Sequence, residues 1–314
     1  MAFERFFLPK EVDALKREKV FKECLYSDIV DPGEERQLSK GVFPAVRAGR
    51  IDFYHRGGKL FSYFNPGGFR THHKYASVLK CAEKRSYITE KELQEIPKVS
   101  GFTDRIEGER RYYMYERLKE NCALYAGDEA EAVSRIYSRF SCANTSRTPG
   151  IVVLDIEVSF ENQEEEQPDA NRGRSRQDRV DLLLFDTGAS KKLRFVEAKL
   201  FSNGEIRAKD GNKPKVLKQL QRYREQLDTN EKRDAILEQY RKHVAVMNDL
   251  FSCDLPEPKD IDREPRLLIV GFDDDQKKGR LAKNLQVLRD EKVKVYAKGN
   301  PKDIEIRALW NGVE

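Results

Sequence analysis

Two apolar segments separated by a short polar turn constrain the fold of this 314-residue chain more than any other feature. The first covers residues 179–185, the chain turns through Asp186-Thr187-Gly188, and the second covers residues 193–200. Apolar runs of this length, bounded by turn residues, predict two adjacent antiparallel strands. Such a pair needs helices to cover its apolar faces, and the flanking sequence provides them.

The elements around this pair follow a regular order. Apolar spacing predicts helices over 128–140, 216–227, 231–251 and 279–290, and further strands over 151–160, 266–272 and 292–298. The order α-β-β-β-α-α-β-α-β predicts a mixed sheet with helices on both faces. We therefore expect an α/β domain over residues 127–314 and a separate α+β region over residues 1–120.

The N-terminal region carries one helical signal and one hairpin signal. Leu15, Val20, Phe21 and Leu25 are spaced for one face of a helix. The segments 50–55 and 59–64 flank Gly57-Gly58, a dipeptide suited to a tight turn. A small antiparallel β unit is expected there.

The same region is locally basic. Residues 41–85 contain nine basic and two acidic side chains, a net charge of +7, interleaved with aromatic residues. Cations that neutralise phosphates, set among aromatics that stack on bases, are typical of a nucleic-acid surface. An equally weighted alternative is a hairpin whose aromatics face its own core and whose cations are solvated. The candidates for nucleic-acid binding, including two lysines of the second half, are Arg50, Arg56, Lys59, Arg70, Lys74, Lys213 and Lys215.

Composition narrows the class of protein. Hydrophobic residues make up 39% and charged residues 36% of the chain, and no apolar run approaches the roughly 20 residues that span a bilayer. The five cysteines are scattered and never spaced as Cys-x-x-Cys. We expect a cytoplasmic protein without membrane partners, whose thiols are reduced and partly buried.

Charged residues interrupt the two central apolar segments. Alternation along the second strand puts Glu197 and Lys199 on one face. Antiparallel pairing with the first strand can bring Asp181 to the same edge. Carboxylates gathered there suit a divalent cation and the hydrolysis of a phosphodiester. The alternatives are an exposed ion pair at a strand end and an aspartate that caps the preceding loop.

Neighbouring elements offer further candidates. Gln219 and Tyr223 lie one turn apart on the next helix, beside an apolar stripe formed by Val216, Leu220, Tyr223 and Leu227. Glu129 shares the apolar face of helix 128–140, with Glu131 as its competitor. Asp155 and Glu157 of the first strand are either competing ligands or part of a solvated face, and the solvated face is favoured.

This succession of residues and elements resembles the PD-(D/E)XK nuclease superfamily. The Gln219-x-x-x-Tyr223 helix is most similar to the branch that contains the nuclease domains of bacterial recombination helicase–nucleases. The resemblance covers about residues 127–300, with Val180 in place of the family's proline, and implies a restriction-endonuclease-like fold with an αβββαβ core.

The resemblance also implies roles for the candidate residues. Asp181 and Glu197 would bind Mg²⁺, with Mn²⁺ able to substitute, and Glu129 would assist. Lys199 would orient the attacking water or stabilise the transition state, and Gln219 and Tyr223 would support the site.

We therefore expect a metal-dependent nuclease, with DNA favoured over RNA, of the kind that recurs in restriction, repair and phage defence. One alternative is a catalytically inert nucleic-acid-binding or scaffold protein with the same fold. Another is a defence effector that is active only with a partner. A homodimer remains open, because cutting both strands of a duplex with one site often takes two copies.

Overall fold

The structure, a computed structural model, describes residues 3–32, 41–76, 88–89, 113–144, 150–160, 179–208 and 213–312. Its contacts divide the chain into two compact units. The N-terminal unit comprises Arg5–Thr148 and Lys242–Pro256, and the C-terminal unit comprises Met1–Glu4, Pro149–Arg241 and Glu257–Glu314. This division differs from the expected boundary between residues 120 and 127, because the helix that follows Gly127 is counted with the N-terminal unit. The fold is mixed α/β.

The N-terminal unit is built on an antiparallel sheet. Its five strands follow the order β1-β2-β3-β4-β5: β1 Phe43–Arg47, β2 Arg50–His55, β3 Gly58–Phe64, β4 Gly68–Thr71 and β5 Ile88–Thr89. Among the described residues up to 144, its helices are α1 Pro9–Arg17, α2 Tyr26–Val30, α3 His73–Ala76, α4 Tyr113–Leu124 and α5 Asp128–Phe140, with a π-helical turn at Phe21–Leu25 that leads into α2.

Of two sequence predictions for this unit, one is confirmed and one holds in part. Leu15, Val20, Phe21 and Leu25 are all buried, but they lie on two successive helical segments rather than on one helix, because Glu18 is extended (ψ 135°) after α1 ends at Arg17. Strands β2 and β3 pair as an antiparallel hairpin, as predicted. The positive backbone angles fall at Arg56 (φ 47°) and Gly57 (φ 82°) rather than at both glycines, because Gly58 already pairs with His55 as the first residue of β3.

The C-terminal unit contains a mixed sheet, as the order of elements predicted. Its strands are β6 Ile151–Ser159, β7 Arg179–Asp186, β8 Lys192–Leu200, β9 Asp260–Ile261, β10 Arg266–Val270 and β11 Val295–Lys298. They follow the order β11-β10-β8-β7-β6, and β9 pairs with β8 off this path. Strands β6, β7 and β8 are antiparallel neighbours, whereas β8, β10 and β11 run parallel.

Helices lie between these strands in the chain and follow the last of them. They are α6 Lys215–Gln226, α7 Asn230–Phe251, α8 Asp274–Gln276, α9 Ala282–Asp290 and α10 Ile306–Asn311, with a π-helical turn at Lys277–Leu281 and 3₁₀ turns at Gly204–Ile206 and Pro301–Asp303. Residues of α7 up to Arg241 are counted with the C-terminal unit and those from Lys242 with the N-terminal unit. Within the described ranges, none of the helices is long and apolar enough to span a bilayer.

Some predicted ends of elements are wrong for a local backbone reason. The strand expected over 266–272 stops at Val270, because Gly271 turns the chain with φ 77°. The strand expected from residue 292 begins at Val295, because Lys292 has φ 58° after α9 ends. Strand β9 and helix α10 were not predicted.

The core of the C-terminal unit forms around β7 and β8. Leu182, Leu183, Leu184 and Phe185 are completely buried on β7, so both of its faces are covered. Val216, Leu220 and Tyr223 of α6 and Leu227, which follows its last residue, are also buried, which confirms the predicted helical register. This packing holds α6 against the sheet and brings its polar residues toward the ends of β7 and β8.

The described cysteines are free thiols. Cys24, Cys122, Cys142 and Cys253 are buried and unbridged, which confirms the prediction for these four. Cys81 lies outside the described residues.

Candidate active site

The pairing of β7 with β8 brings Asp181 next to Glu197. Leu182 is paired with Val196, and continuing this antiparallel register by one residue places Asp181 opposite Glu197. The Asp181 carboxylate accepts a hydrogen bond of 2.7 Å from the backbone N–H of Ala198. The predicted approach of the two carboxylates is therefore confirmed, and Asp181 binds the neighbouring strand rather than capping a loop.

Glu197 and Lys199 form a buried ion pair. Strand alternation points both side chains to one face, where Lys199 Nζ lies 2.6 Å from Glu197 Oε1. Both residues are buried. The alternative of an exposed pair at a strand end is wrong, because the strand is still covered where these residues occur.

Helix α6 supplies the second contact to Glu197. The Tyr223 hydroxyl lies 2.9 Å from Glu197 Oε2 and 2.9 Å from the carbonyl oxygen of Arg179. It accepts a hydrogen bond of 2.7 Å from Gln219 Nε2. Burial and the charge of Glu197 raise the pKa of Tyr223, so its hydroxyl remains a proton donor. Gln219 and Tyr223 thus orient the carboxylate of Glu197.

The surroundings of Asp181 disfavour the charged form of its carboxyl. Burial first, and then the charge of Glu197, raise the pKa of its carboxyl well above the usual range. The Ala198 N–H and the Lys199 ammonium act in the opposite sense but do not cancel these effects. Two carboxylates held side by side, one buried and one partly buried, are stabilised by a positive charge placed between them.

The residues fit a divalent cation by the chemistry of their donors. Asp181 and Glu197 offer the hard oxygen ligands that Mg²⁺ prefers. In the part of the chain that the structure describes, no cluster of three or more His, Cys, Asp or Glu side chains is close enough to hold a metal. Two carboxylates would suffice if water completed the coordination, as is usual for Mg²⁺.

The two glutamates predicted on helix 128–140 lie on α5 of the N-terminal unit. Glu131 forms ion pairs with Arg56 at 2.6 Å and Arg135 at 3.1 Å, and the bond to Arg56 helps to lower the pKa of its carboxyl. Glu131 is thus a structural residue of the N-terminal unit. Glu129 lies half-buried on α5 of the same unit, and its role as a ligand stays a prediction.

The first strand holds one buried and one partly exposed carboxylate. Asp155 is completely buried and accepts hydrogen bonds from Ile156 N–H at 2.8 Å and Tyr240 Oη at 3.2 Å. The favoured solvated face is therefore wrong for Asp155, because a bulge between Val153 and Asp155 shifts the alternation of β6.

Glu157 lies nearer to the candidate site. The register of β6 with β7 places it opposite Asp181, and its negative charge contributes to the raised pKa of that carboxyl. Its backbone has φ 49°, and its carboxylate is 3.4 Å from Arg179 Nη1. Glu157 is thus a neighbour of the carboxylate pair whose own charge is directed to an arginine.

Sequence reasoning missed Glu205. The side chain of Asn203 accepts a hydrogen bond from Glu205 N–H and begins the 3₁₀ turn that follows β8. This turn places Glu205 Oε2 3.4 Å from Lys199 Nζ. The Asn-x-Glu spacing is a recognisable cap, but nothing in the sequence indicates that the turn folds back toward Lys199.

The basic candidates of the N-terminal unit contact neighbours in their own unit. Arg50 and Lys59 lie 3.1 Å and 3.9 Å from the carboxylate of Asp52. Arg70 stacks on Phe64 at 4.6 Å, and Lys74 lies over Tyr75 at 4.9 Å.

The aromatic residues of this region mainly form its core. Phe61, Tyr63, Phe69 and Tyr75 are buried, so they are not positioned to stack on bases. This burial favours the alternative in which the aromatics of the hairpin face its own core. The nucleic-acid role of the surrounding cations stays a prediction.

Comparison with known proteins adds no relative. No family model matches the chain, and no curated protein or solved structure matches it either.

Proposed function

We propose that this protein is a metal-dependent nuclease whose site is formed by Asp181, Glu197 and Lys199. The observation that carries the proposal is the buried Lys199–Glu197 pair beside the partly buried carboxyl of Asp181. Burying a lysine and two carboxylates at adjacent strand positions costs free energy that a purely structural sheet would avoid. Groups with strongly perturbed pKa values in such clusters are typical of functional sites.

Each residue has a role that follows from its contacts. Asp181 and Glu197 would hold a divalent cation, which neutralises charge on the phosphate and favours ionisation of a bound water. The Lys199 ammonium, held in place by Glu197, donates hydrogen bonds and positive charge to a phosphate oxygen or to the attacking water. Tyr223 and Gln219 keep the carboxylate of Glu197 in position. Water attacks phosphorus and the bond to one ester oxygen breaks, leaving a phosphate on one product and a hydroxyl on the other.

The fold that we propose for the C-terminal unit is the restriction-endonuclease-like fold. Three antiparallel strands, β6 to β8, are followed by α6 and by the parallel strands β10 and β11, which agrees with the strand and helix order of that core. DNA is the proposed substrate, with RNA as the alternative to be tested. The proposed setting is restriction, repair or phage defence within the cytoplasm, by resemblance to the superfamily.

The test is cleavage of labelled single- and double-stranded DNA and RNA with Mg²⁺, with Mn²⁺ and with a chelator. Asp181→Asn and Lys199→Ala should each reduce cleavage by at least about 100-fold, as expected for loss of a principal electrostatic contributor. Matched controls lie on the same two strands: Asp186→Asn at the other end of β7 and Lys192→Ala at the start of β8 should cleave like wild type. Absence of cleavage in wild type, or equal activity of site and control variants, would contradict the proposal.

A second candidate function is nucleic-acid binding without cleavage. The observation in its favour is that both oxygens of Glu197 already have partners, one in Lys199 and one in Tyr223, so the network is complete in itself. Salt-sensitive binding of nucleic acid with no turnover in either metal would support this function over the first.

A further inference from the structure

A basic cleft of about 930 Å³ lies in the C-terminal unit, apart from the carboxylate pair. Its lining contains six cationic side chains and two carboxylates, a net charge of +4. The cations are Arg207, Lys213, Lys215, Lys218, Arg222 and Arg224. A concave surface with this excess of positive charge concentrates anions from solution.

Some of these cations have partners at the rim of the cleft. Lys213 pairs with Glu291 at 2.7 Å, and Arg224 pairs with Glu264 at 2.9 Å. Among the described residues, Lys215 and Lys218 have no carboxylate within ion-pairing distance. These two exposed lysines therefore keep their positive charge available for a ligand.

One wall of the cleft is a stripe along α6. Lys215, Lys218 and Arg222 follow the i, i+3, i+7 spacing of one helical face, and all three are exposed. At about 1.5 Å per residue the stripe is about 10 Å long, and a strand of duplex DNA places a phosphate about every 3.4 Å along the helix axis. Lys215 and Lys218 lie in the first turn of α6, where positive charge opposes the helix dipole, so these two lysines do not stabilise the helix through that dipole.

The cleft adjoins the candidate active site through two shared elements. Glu205 lines the cleft and lies 3.4 Å from Lys199 Nζ. Helix α6 presents Tyr223 to Glu197 on its buried face and carries the cationic stripe on another face. A polyanion that occupied the cleft would therefore lead toward the carboxylate pair.

The chemistry of the lining indicates what is recognised. No aromatic side chain lines the cleft in the described part of the chain. Surfaces that read single strands through their bases use aromatic stacking, whereas lysines and arginines contact the phosphates.

We propose that this cleft binds the phosphate backbone of the nucleic acid, independently of base sequence, next to the bond to be cut. The position of this binding next to a bond to be cut rests on the proposed nuclease function. The binding itself needs no metal and no cleavage. Its ligand class is a run of about three consecutive phosphates, matched to the stripe on α6.

The experiment measures binding of fluorescent 20-mers by anisotropy in a chelator, over a range of salt concentrations. The variant K215E/K218E/R222E is compared with K232E/K259E/K302E, which makes the same charge change at exposed lysines of the same unit outside the cleft. The cleft variant should bind at least about 100-fold more weakly at about 0.15 M salt, and the salt slope on duplex should fall by about 3. The control variant should stay within about threefold of wild type on the same scale.

Any of three outcomes would overturn the proposal that the cleft binds the phosphate backbone. The first is no binding by wild type, and the second is an equal loss of affinity in both triple variants. The third is an affinity that changes strongly between DNA sequences of equal length. Single-stranded, duplex and RNA probes of mixed sequence identify which backbone is preferred. If wild type cleaves nucleic acid and the cleft variant binds it as tightly as wild type, the role of the cleft is refuted but the nuclease function is not. If the cleft variant loses binding but wild type cleaves with neither metal, the nuclease function is refuted but the role of the cleft is not.

Discussion

Replacing Lys199 with methionine tests whether the charge network at the end of β8 is buried as the structure describes. Its ammonium lies 2.6 Å from Glu197 Oε1, and the two side chains are 8% and 1% exposed. Methionine keeps most of the length and apolar stem of lysine but removes the charge. The variant leaves the carboxylate of Glu197 buried without its cation.

The expected cost follows from this geometry. At an effective dielectric constant of about 20, opposite charges 2.6 Å apart attract by about 6 kcal/mol. Part of this attraction is offset by the desolvation of both ions, and removal of one partner of a buried pair typically costs about 3–5 kcal/mol. Because the stranded charge causes most of that loss, E197Q/K199M should recover at least about half of it.

The measurement is urea unfolding followed by the fluorescence of Trp310, the one tryptophan of the chain, which belongs to the C-terminal unit. Lys192→Met is the matched control: it lies on the same strand, and its Nζ is 2.7 Å from Asp260, but the two side chains are 34% and 53% exposed. An exposed pair contributes no more than about 1 kcal/mol. If Lys199→Met and Lys192→Met cost the same, or if the double variant is less stable than Lys199→Met, the reasoning is refuted.

Three further variants test other parts of the structure. Tyr223→Phe should lower the free energy of unfolding, followed by Trp310 fluorescence, by about 1.5–3 kcal/mol, because it removes a hydrogen-bond donor to Glu197. It should also lower nuclease activity. The control is Tyr240→Phe, which removes a 3.2 Å contact to Asp155 and should leave activity unchanged; equal activity losses would contradict the role of Tyr223. Burial lowers the pKa of His55 to about 3, so the unfolded state takes up a proton on this side chain before the folded state does as the pH falls below about 6.5. This group should therefore lower the free energy of unfolding of wild type by about 1.4 kcal/mol per pH unit between about pH 6.5 and about pH 3. His55→Gln should reduce that slope in urea unfolding followed by circular dichroism. Gly57→Ala should destabilise the N-terminal unit more than Gly49→Ala in thermal unfolding. Both glycines have positive φ (82° and 64°), but a Cβ at Gly57 would lie 2.4 Å from an atom of α5, whereas a Cβ at Gly49 would meet nothing within 4 Å. Equal melting temperatures of the two variants would contradict the described packing.

Local pattern predicted the parts of the candidate site that depend on one strand or one helix. Alternation along β8 was enough to put Glu197 and Lys199 on one face, since successive side chains of a strand point to opposite sides. Helical spacing was enough to bury Tyr223 with its stripe. Pattern failed at Asp155, because a bulge interrupts the alternation and a bulge has no signature in the apolar pattern.

Contacts between distant segments had to come from the tertiary structure. The sequence by itself determined the mixed sheet, the hairpin of the N-terminal unit and the carboxylate pair, because short-range periodicity and turn chemistry specify these features. Only the tertiary structure decided that Tyr223 bonds to Glu197, that Glu205 approaches Lys199, and that the stripe on α6 borders a basic cleft. These arrangements depend on how a helix and a turn pack against the sheet, and that packing is set by the fit of many side chains rather than by the spacing of a few.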